Sequence, residues 1–578
     1  MPLMGSLYIG ASGLQTSQNA LNTTAHNLSN VDTTGYTRQQ VQQSDRSYVT
    51  LSTDPKSISN KQTGLGVTYS RVKQVRDYFL DKTFRRESGR SMFYQVSTEV
   101  MEEVESQLGE LNGKAFQTAI SDLWTAVQEL AKDPGSSVTQ GLLVQRASEF
   151  IERANAVYDG LASYQDNLNA QVKQQVDKIN KYGEQLLTLN DQIRAIESGG
   201  IEKANDLRDV RNQILDELAE LTDISYSEDR YGNVEVKIEG VDFVKGGTCY
   251  KIEMQVDEST GFYTPFWPQN AMYHYNAEGF KEYNIDGAEV FDLAREISSD
   301  MNTDIGGLKA MLLARGDHRA DYRDVSEEKY DGISQSVLMN IQAEFDQLVH
   351  NVATKVNDIL ATAAGVQTGN LTSANGTVLY ENVRYCEIDP NGYNYMRNED
   401  GTPIQMFDKI TTDEYTKVTI DNKEYWIFAE EDMTKADSLY SVRNIQIDEG
   451  LMQSPSKLSF MKQDNTVDND TAEALKAAFT EEIYTLNPNV LKKTTFADYY
   501  TDLVAQVGNS GYVYRSIYEN QENTVEATQN ARAQVIDVSS DEELANMIKF
   551  QNAFNASSRY INVISEMLEH IINTLGMM

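Results

Sequence analysis

Five histidines, two cysteines and 87 acidic residues are what this chain offers for catalysis or metal binding. His26, His274, His318, His350 and His570 are scattered, with no pair four residues apart and no cysteine in register, so zinc-site spacing is absent. Asp317, His318 and Asp321 do cluster and could hold a metal if folded together, but an exposed polar loop explains them without one. Asp464, Asp468 and Asp470 lack the alternating spacing, central glycine and closing glutamate of a calcium loop. Gly109, Gly113 and Lys114 approach a phosphate-binding loop, yet three residues rather than four separate the glycines and Ala115 follows the lysine. No Gly-x-Ser-x-Gly nucleophile frame occurs, and at this acid content paired carboxylates carry no catalytic meaning by themselves. The expectation is a non-enzymatic protein with no cofactor and no metal.

The residues that repeat with purpose are apolar ones on helical spacing, above all near the two ends. Leu7, Leu14, Leu21 and Leu28 stand in strict heptad order, with Ala11 and Ala25 four residues after two of them. The other face is Ser, Thr, Asn and Gln, so this helix gains no support from charged pairs and would be marginal alone. Turn chemistry at Asp32 to Gly35 ends it. At the far end Met547, Phe554, Ile561, Leu568 and Leu575 form one heptad column, and Phe550, Ile564 and Ile571 form its neighbour. Ser539 or Ser540 is the cap expected there, followed by Asp541, Glu542 and Glu543, which suit the positive end of a helix. Either stripe could pack on its own domain. Because an isolated amphipathic helix leaves its stripe in water, the reading adopted is that the ends pair with each other and with neighbouring subunits, a heterologous contact that propagates into a tube. The candidate assembly interface is the four leucines of the first stripe and the eight residues of the two C-terminal columns, twelve in all.

Between the ends, helical pattern runs from about Arg90 to Leu221. It is clearest where Val172, Ile179, Leu186 and Ile193 run beside Tyr182, Leu189 and Ile196. Leu207, Val210, Ile214, Leu218 and Leu221 mark a further helix, after which the period switches to two at Val234, Val236 and Ile238. Helical pattern returns at Ile341, Phe345, Leu348, Val352, Val356 and Ile359, and again from about Thr495 to Arg532. At 578 residues the chain exceeds the roughly 250 to 300 at which one core stops growing, so several domains are expected. The fold class predicted is multidomain and mainly α, with terminal helices pairing as a coiled coil, a long helical bundle and inserted β-rich outer domains. The division is an N-terminal axial segment, 1–60, that pairs with 535–578; a helical domain, 61–222 with 305–365 and 491–534; and β-rich modules at 223–304 and 366–490.

A net charge of −37 repels phosphate backbones and anionic lipid, which argues against nucleic acid and membrane surfaces as partners. No run of apolar residues is long enough to span a membrane. Residues 1–37 contain no Lys or Arg, so a cleavable signal peptide with its basic start is not expected. Cys249 and Cys386 are too few and too far apart for a disulfide framework and read as buried hydrophobes.

The run ASGLQTSQNALNTTAHNLSNVDTTGYTRQ, Ala11 to Gln39, resembles the opening motif of the flagellar rod, hook and hook-associated family. DEELANMIKFQNAFNASSRYINVISEMLEHIIN, Asp541 to Asn573, resembles its closing motif. Gly35, Tyr36, Thr37, Arg38 and Gln39 look like the hook-associated members, since rod and hook proteins tend to place Lys after Gly-Tyr or Gly-Phe. GLGV at 64–67, VRDYFL at 75–80 and FQTAISDLWTAVQELAKDP at 116–134 agree. Ile536 to Ser540 departs from the usual Ser-Gly-Val-x-Leu lead, and residues 366–490 match only weakly. The resemblance implies a structural subunit between hook and filament, exported unfolded by the flagellar type III apparatus and lying outside the cell. It implies as partners further copies of the chain, hook protein, a second junction protein and a cytoplasmic export chaperone on the C-terminal helix. The rivals are a hook or distal-rod protein, an enzyme carried on an axial scaffold, and a free adhesin.

Overall fold

The computed structural model describes residues 2–50, 53, 56, 62–109, 115–200, 202–276, 278–388 and 395–575. Helix α1, Pro2–Ser29, is rich in hydroxyls, which find their partners along the helix itself: Ser12 Oγ donates to the Ile9 carbonyl, Ser17 Oγ to Gly13 and Ser29 Oγ to Ala25. After the turn through Gly35, strands β1 (Gln39–Asp45), β2 (Val49–Thr50), β3 (Gln62–Thr63) and β4 (Val67–Gln74) follow. β1 pairs antiparallel with β4, and β2 with β3.

The helical tract resolves into α2 (Tyr78–Leu108), α3 (Phe116–Lys132), α4 (Ser137–Glu197) and α5 (Asn205–Leu221). Asp77 caps α2 by accepting from the Phe79 and Leu80 amides, and Ser136 caps α4 by accepting from Val138. α4, at 61 residues, serves two interiors. Its first half, Leu143 to Leu168, packs with α2 and α3, while Val172, Ile179, Leu186 and Ile193 pack with α5 and the next sheet. Ile196 and Val210, on the apolar stripes read from the sequence, are exposed at 43% and 48%.

That sheet is an antiparallel meander of β5 (Ile224–Glu228), β6 (Val234–Ile238), β7 (Val241–Lys245) and β8 (Thr248–Cys249). Val234, Val236 and Ile238 share its buried face, as the period of two requires. Two hairpins, β9 (Glu253–Val256) with β10 (Tyr263–Phe266) and β11 (Met272–Tyr275) with β12 (Lys281–Asn284), complete the segment.

Helices α6 (Gly307–Arg315), α7 (Tyr330–Ile333) and α8 (Val337–Ala363) return the chain to the helical body, where Ile341, Phe345, Leu348, Val352 and Val356 of α8 are buried. Beyond it lie β13 (Gln367–Thr372), β14 (Val378–Glu387), β15 (Phe407–Lys409), β16 (Tyr415–Ile420), β17 (Lys423–Phe428) and β18 (Ile445–Ile447). β13, β14, β17 and β16 form one sheet in that order, and β15 pairs with β18. This segment, read from sequence as β-rich, also holds α9 (Glu449–Gln453) and α10 (Asn469–Thr480). α10 is anchored by Phe479, whose ring stacks on Trp124 of α3 at 5.7 Å.

α11, Phe496–Ile536, is capped by Thr495 and runs back along α2, and α12, Ser540–Leu575, lies along α1. Ser539 is the residue that caps α12, its hydroxyl accepting from the Glu542 amide. No helix among the described residues is long and apolar enough to cross a membrane.

Candidate assembly interface

α1 and α12 pair antiparallel. Gly10 lies against Tyr560 and Ile561, Gly13 against Ser557, and Asn27 bonds Glu543. A Cβ at Gly10 would stand 2.7 Å from Ile561 Cγ1, and one at Gly13 2.8 Å from Ser557 Oγ, so two glycines set how near the axes come. The column of α1 in this seam is Gly10, Gly13, Ser17, Ala20, Thr24 and Asn27, small or polar throughout and spaced by threes and fours. Leu7, Leu14, Leu21 and Leu28 are half-buried on its flank, the last three each standing four residues after a member of the seam.

On α12, Met547, Phe550, Phe554, Ile561 and Leu568 are half-buried and Ile564 is fully buried. Ile571 is 41% exposed. With Ile561 opposite Gly10, the turn around Ile571 lies beyond Pro2, where α1 begins. Leu575 closes the helix, and its side chain lies outside the described residues.

The pair is locked by a polar clasp that sequence periodicity did not reveal. Asn27 donates to the Gln39 carbonyl and to Glu543 Oε2, and its Oδ1 accepts from the Tyr36 hydroxyl and the Gln39 amide. Glu543, almost wholly buried, also receives Arg38 Nε at 3.0 Å, while Arg38 Nη1 reaches Glu542 at 2.7 Å and the Arg38 amide bonds the Ile536 carbonyl. Thr37 donates through both its amide and its hydroxyl to Asp209 of α5. The run Gly35 to Gln39 therefore fastens both ends of the chain to each other and to the helical body. Its signal was Arg38 itself, together with a Glu543 that reads as a helix-dipole residue. Burial first, then the charges of Asp206, Asp209 and Glu543, push the Tyr36 hydroxyl well above its ordinary pKa, so it stays a donor.

A charged strut continues the clasp into the body. Arg76 holds Asp81 at 2.9 Å, Arg532 of α11 bridges Asp81 at 2.8 Å and Asp216 at 2.7 Å, and Arg85 holds Asp216 at 2.6 Å. Burial alone would raise Asp81, but its bond to Arg76 and the charges of Arg76, Arg532 and Arg85 hold it below the usual carboxylate range. Asp209 is pushed up to about 6 by burial, against its bonds to Thr37.

His318 bonds Asp317 at 2.6 Å and Asp324 at 3.2 Å, and those bonds raise it to about 10; Asp321 instead caps the following turn and pairs with Arg323. Gly113 and Lys114 lie outside the described residues. Cys249 and Cys386 are free thiols, and burial pushes the former to about 11.

Three family models match this chain. Residues 7–37 match "Flagella basal body rod protein", 101–374 "Flagellar hook-associated protein FlgK helical domain", and 536–574 "Flagellar basal body rod FlgEFG protein C-terminal". Flagellar hook-associated protein 1 of Bacillus subtilis is 24% identical, with 97% of this chain and 96% of that protein aligned. Its namesake in Escherichia coli is 22% identical over 99% and 100%. The hook junction protein FlgK of Burkholderia pseudomallei shares the fold at a TM-score of 0.50 and 13% identity, covering 79% of this chain and all of that one. The paired ends are those of a flagellar axial protein. With a helical domain of the hook-associated kind between them, the chain is similar to flagellar hook-associated protein 1 over nearly its full length. That domain match disfavours a hook or rod protein.

Proposed function

We propose that the chain joins hook to filament, assembling with copies of itself into a helical tube through the α1–α12 pair. The observation that carries this is the apolar surface left on that pair: Met4, Tyr8, Ile548, Val563, Met567 and Ile572 are each more than half exposed. Apolar surface of this extent marks an association site, and a heterologous contact that does not close builds a helix. The twelve leucine, methionine, phenylalanine and isoleucine positions named from sequence are the proposed interface, those facing inward holding the pair and Ile571 and Leu575 meeting a neighbour. Hook protein and a second junction protein are the proposed neighbours along the axis. Residues 1–60 with 535–578 form the proposed axial unit, and the modules at 223–304 and 366–490 the outer ones.

Export through the type III apparatus requires that α12 be held before assembly, and a cytoplasmic chaperone is the proposed holder. Its footprint, Phe550, Phe554, Ile561, Ile564 and Leu568, lies on the α12 seam, so chaperone and α1 compete for one face. Ile561→Asp tests the reading, since a buried unpaired carboxylate costs several kcal/mol, roughly, only where that face is covered. Cells carrying it should export the chain yet show bare hooks by electron microscopy, with filament subunits in the medium. Normal filaments on those hooks would overturn the proposal.

A further inference from the structure

One cavity runs against the sign of the whole chain. About 410 Å3 in volume, it lies where β4, the start of α2, α5 and β5 meet, and seven lysine and arginine side chains line it against Asp81 and Glu228. Those two acids are already held, Asp81 by Arg76 and Arg532 and Glu228 by Arg208 and Arg211. Arg71 and Lys73, on one face of β4 and exposed at the mouth, pair with no carboxylate among the described residues; Arg71 bonds only the neutral Gln42.

Inside, hydrogen-bonding capacity is left over. Arg85 and Arg211 are 3% and 2% exposed, yet Arg85 Nη1 and Arg211 Nε have no partner among the described residues. The buried hydroxyl of Tyr226, over whose ring the Arg85 guanidinium lies at 4.4 Å, has none either. A buried donor left unmade is costly, more so when charged, so three around one cation-rich cavity are a donor set in want of an acceptor. Burial also lowers Arg211 to about 10, opposed only in part by Glu228, so its charge is present at neutral pH and incompletely compensated.

We propose that this cavity binds a multivalent oxyanion of the pyrophosphate or polycarboxylate class, with Arg85, Arg211 and Tyr226 as inner donors and Arg71 and Lys73 at the mouth. Planar guanidinium forks suit such groups, and the anion would bridge the β1–β4 hairpin to the helical body. The acceptor oxygens come either from a free solute or from acidic side chains of a second copy of this strongly acidic chain.

The test uses the full chain. Pyrophosphate titrated calorimetrically, against sodium chloride of equal ionic strength, should bind with a Kd below about 1 mM. Arg71→Gln with Lys73→Gln, both at exposed positions, should weaken it at least about tenfold while leaving the melting midpoint in anion-free buffer unchanged. Sedimentation velocity separates the sources. If a second copy supplies the carboxylates, self-association weakens both with pyrophosphate and in the double variant; if the ligand is a free solute, self-association is indifferent while binding falls. Absence of pyrophosphate binding together with indifferent self-association overturns the proposal, as does binding that the double variant leaves intact.

Discussion

In the helical body, Phe116 of α3 meets Phe345 of α8 and Tyr500 of α11 at 4.9 Å each, and Phe150 of α4 at 5.2 Å, with every ring buried. In the terminal pair the α1 seam is glycine, serine, alanine, threonine and asparagine, and of the apolar α12 positions facing it only Ile564 is fully buried. Both regions are long helices side by side, but one closes its interior and the other leaves apolar surface uncovered. The body is held by apolar burial. The pair is held by close approach and by the Asn27–Glu543–Arg38 clasp. Such a division suits a protein whose body folds alone while its ends keep a surface for neighbours.

Phe345→Ala should break the comparison on the side of the body, because truncating a buried aromatic costs about 3 to 5 kcal/mol. A large fall in the calorimetric melting midpoint is expected, and an unchanged midpoint would mean that the aromatic cluster does not hold the body.

Gly10→Val acts on the other side, forcing a branched side chain toward Ile561 at a cost of about 1 to 3 kcal/mol. Limited proteolysis should cut faster within residues 2–30 while the main melting transition stays in place. Equal loss in both would show that pair and body unfold as one unit.

The smallest effect expected is one of pH. Glu344 and Asp346 of α8 are buried without a cation in hydrogen-bond contact, and burial pushes both up to about 7. Their folded pKa values lie above the unfolded ones, so the stability they contribute is full below about pH 4 and is lost as pH rises through 7. Asp81 in the strut runs the other way, its contribution present above the unfolded pKa and lost as pH falls. Between about pH 4 and 7 the body should therefore soften, by up to about 1.4 kcal/mol per group for each pH unit. Glu344→Gln should flatten the dependence of the melting midpoint on pH, and an equally steep profile would exclude that carboxyl as its source.

Local periodicity was enough to place most of the framework. The column Val172, Ile179, Leu186 and Ile193, the alternation at Val234, Val236 and Ile238, and the face from Ile341 to Val356 are all buried as their spacing demands. This holds because each such element meets its core through one face, and the period of apolar residues is that face written out. The meeting of the two ends was likewise prefigured by stripes that a lone helix cannot bury, though not its antiparallel sense.

Which column of α1 meets α12 was not written there. The leucines and the column from Gly10 to Asn27 both follow the heptad, and only the partner's approach makes the small residues the seam and the leucines its flank. Neither the clasp of Asn27 to Glu543, across 516 residues of sequence, nor the strut through Arg532 is announced by periodicity, because their polar residues also read as solvated or helix-end ones. α10, inside a segment rich in strands, takes its place from the stacking of Phe479 on Trp124, more than three hundred residues before it. Periodicity records what one element does with its own faces, whereas register, polar locks and cavities depend on two elements at once, and only the tertiary structure brings those together.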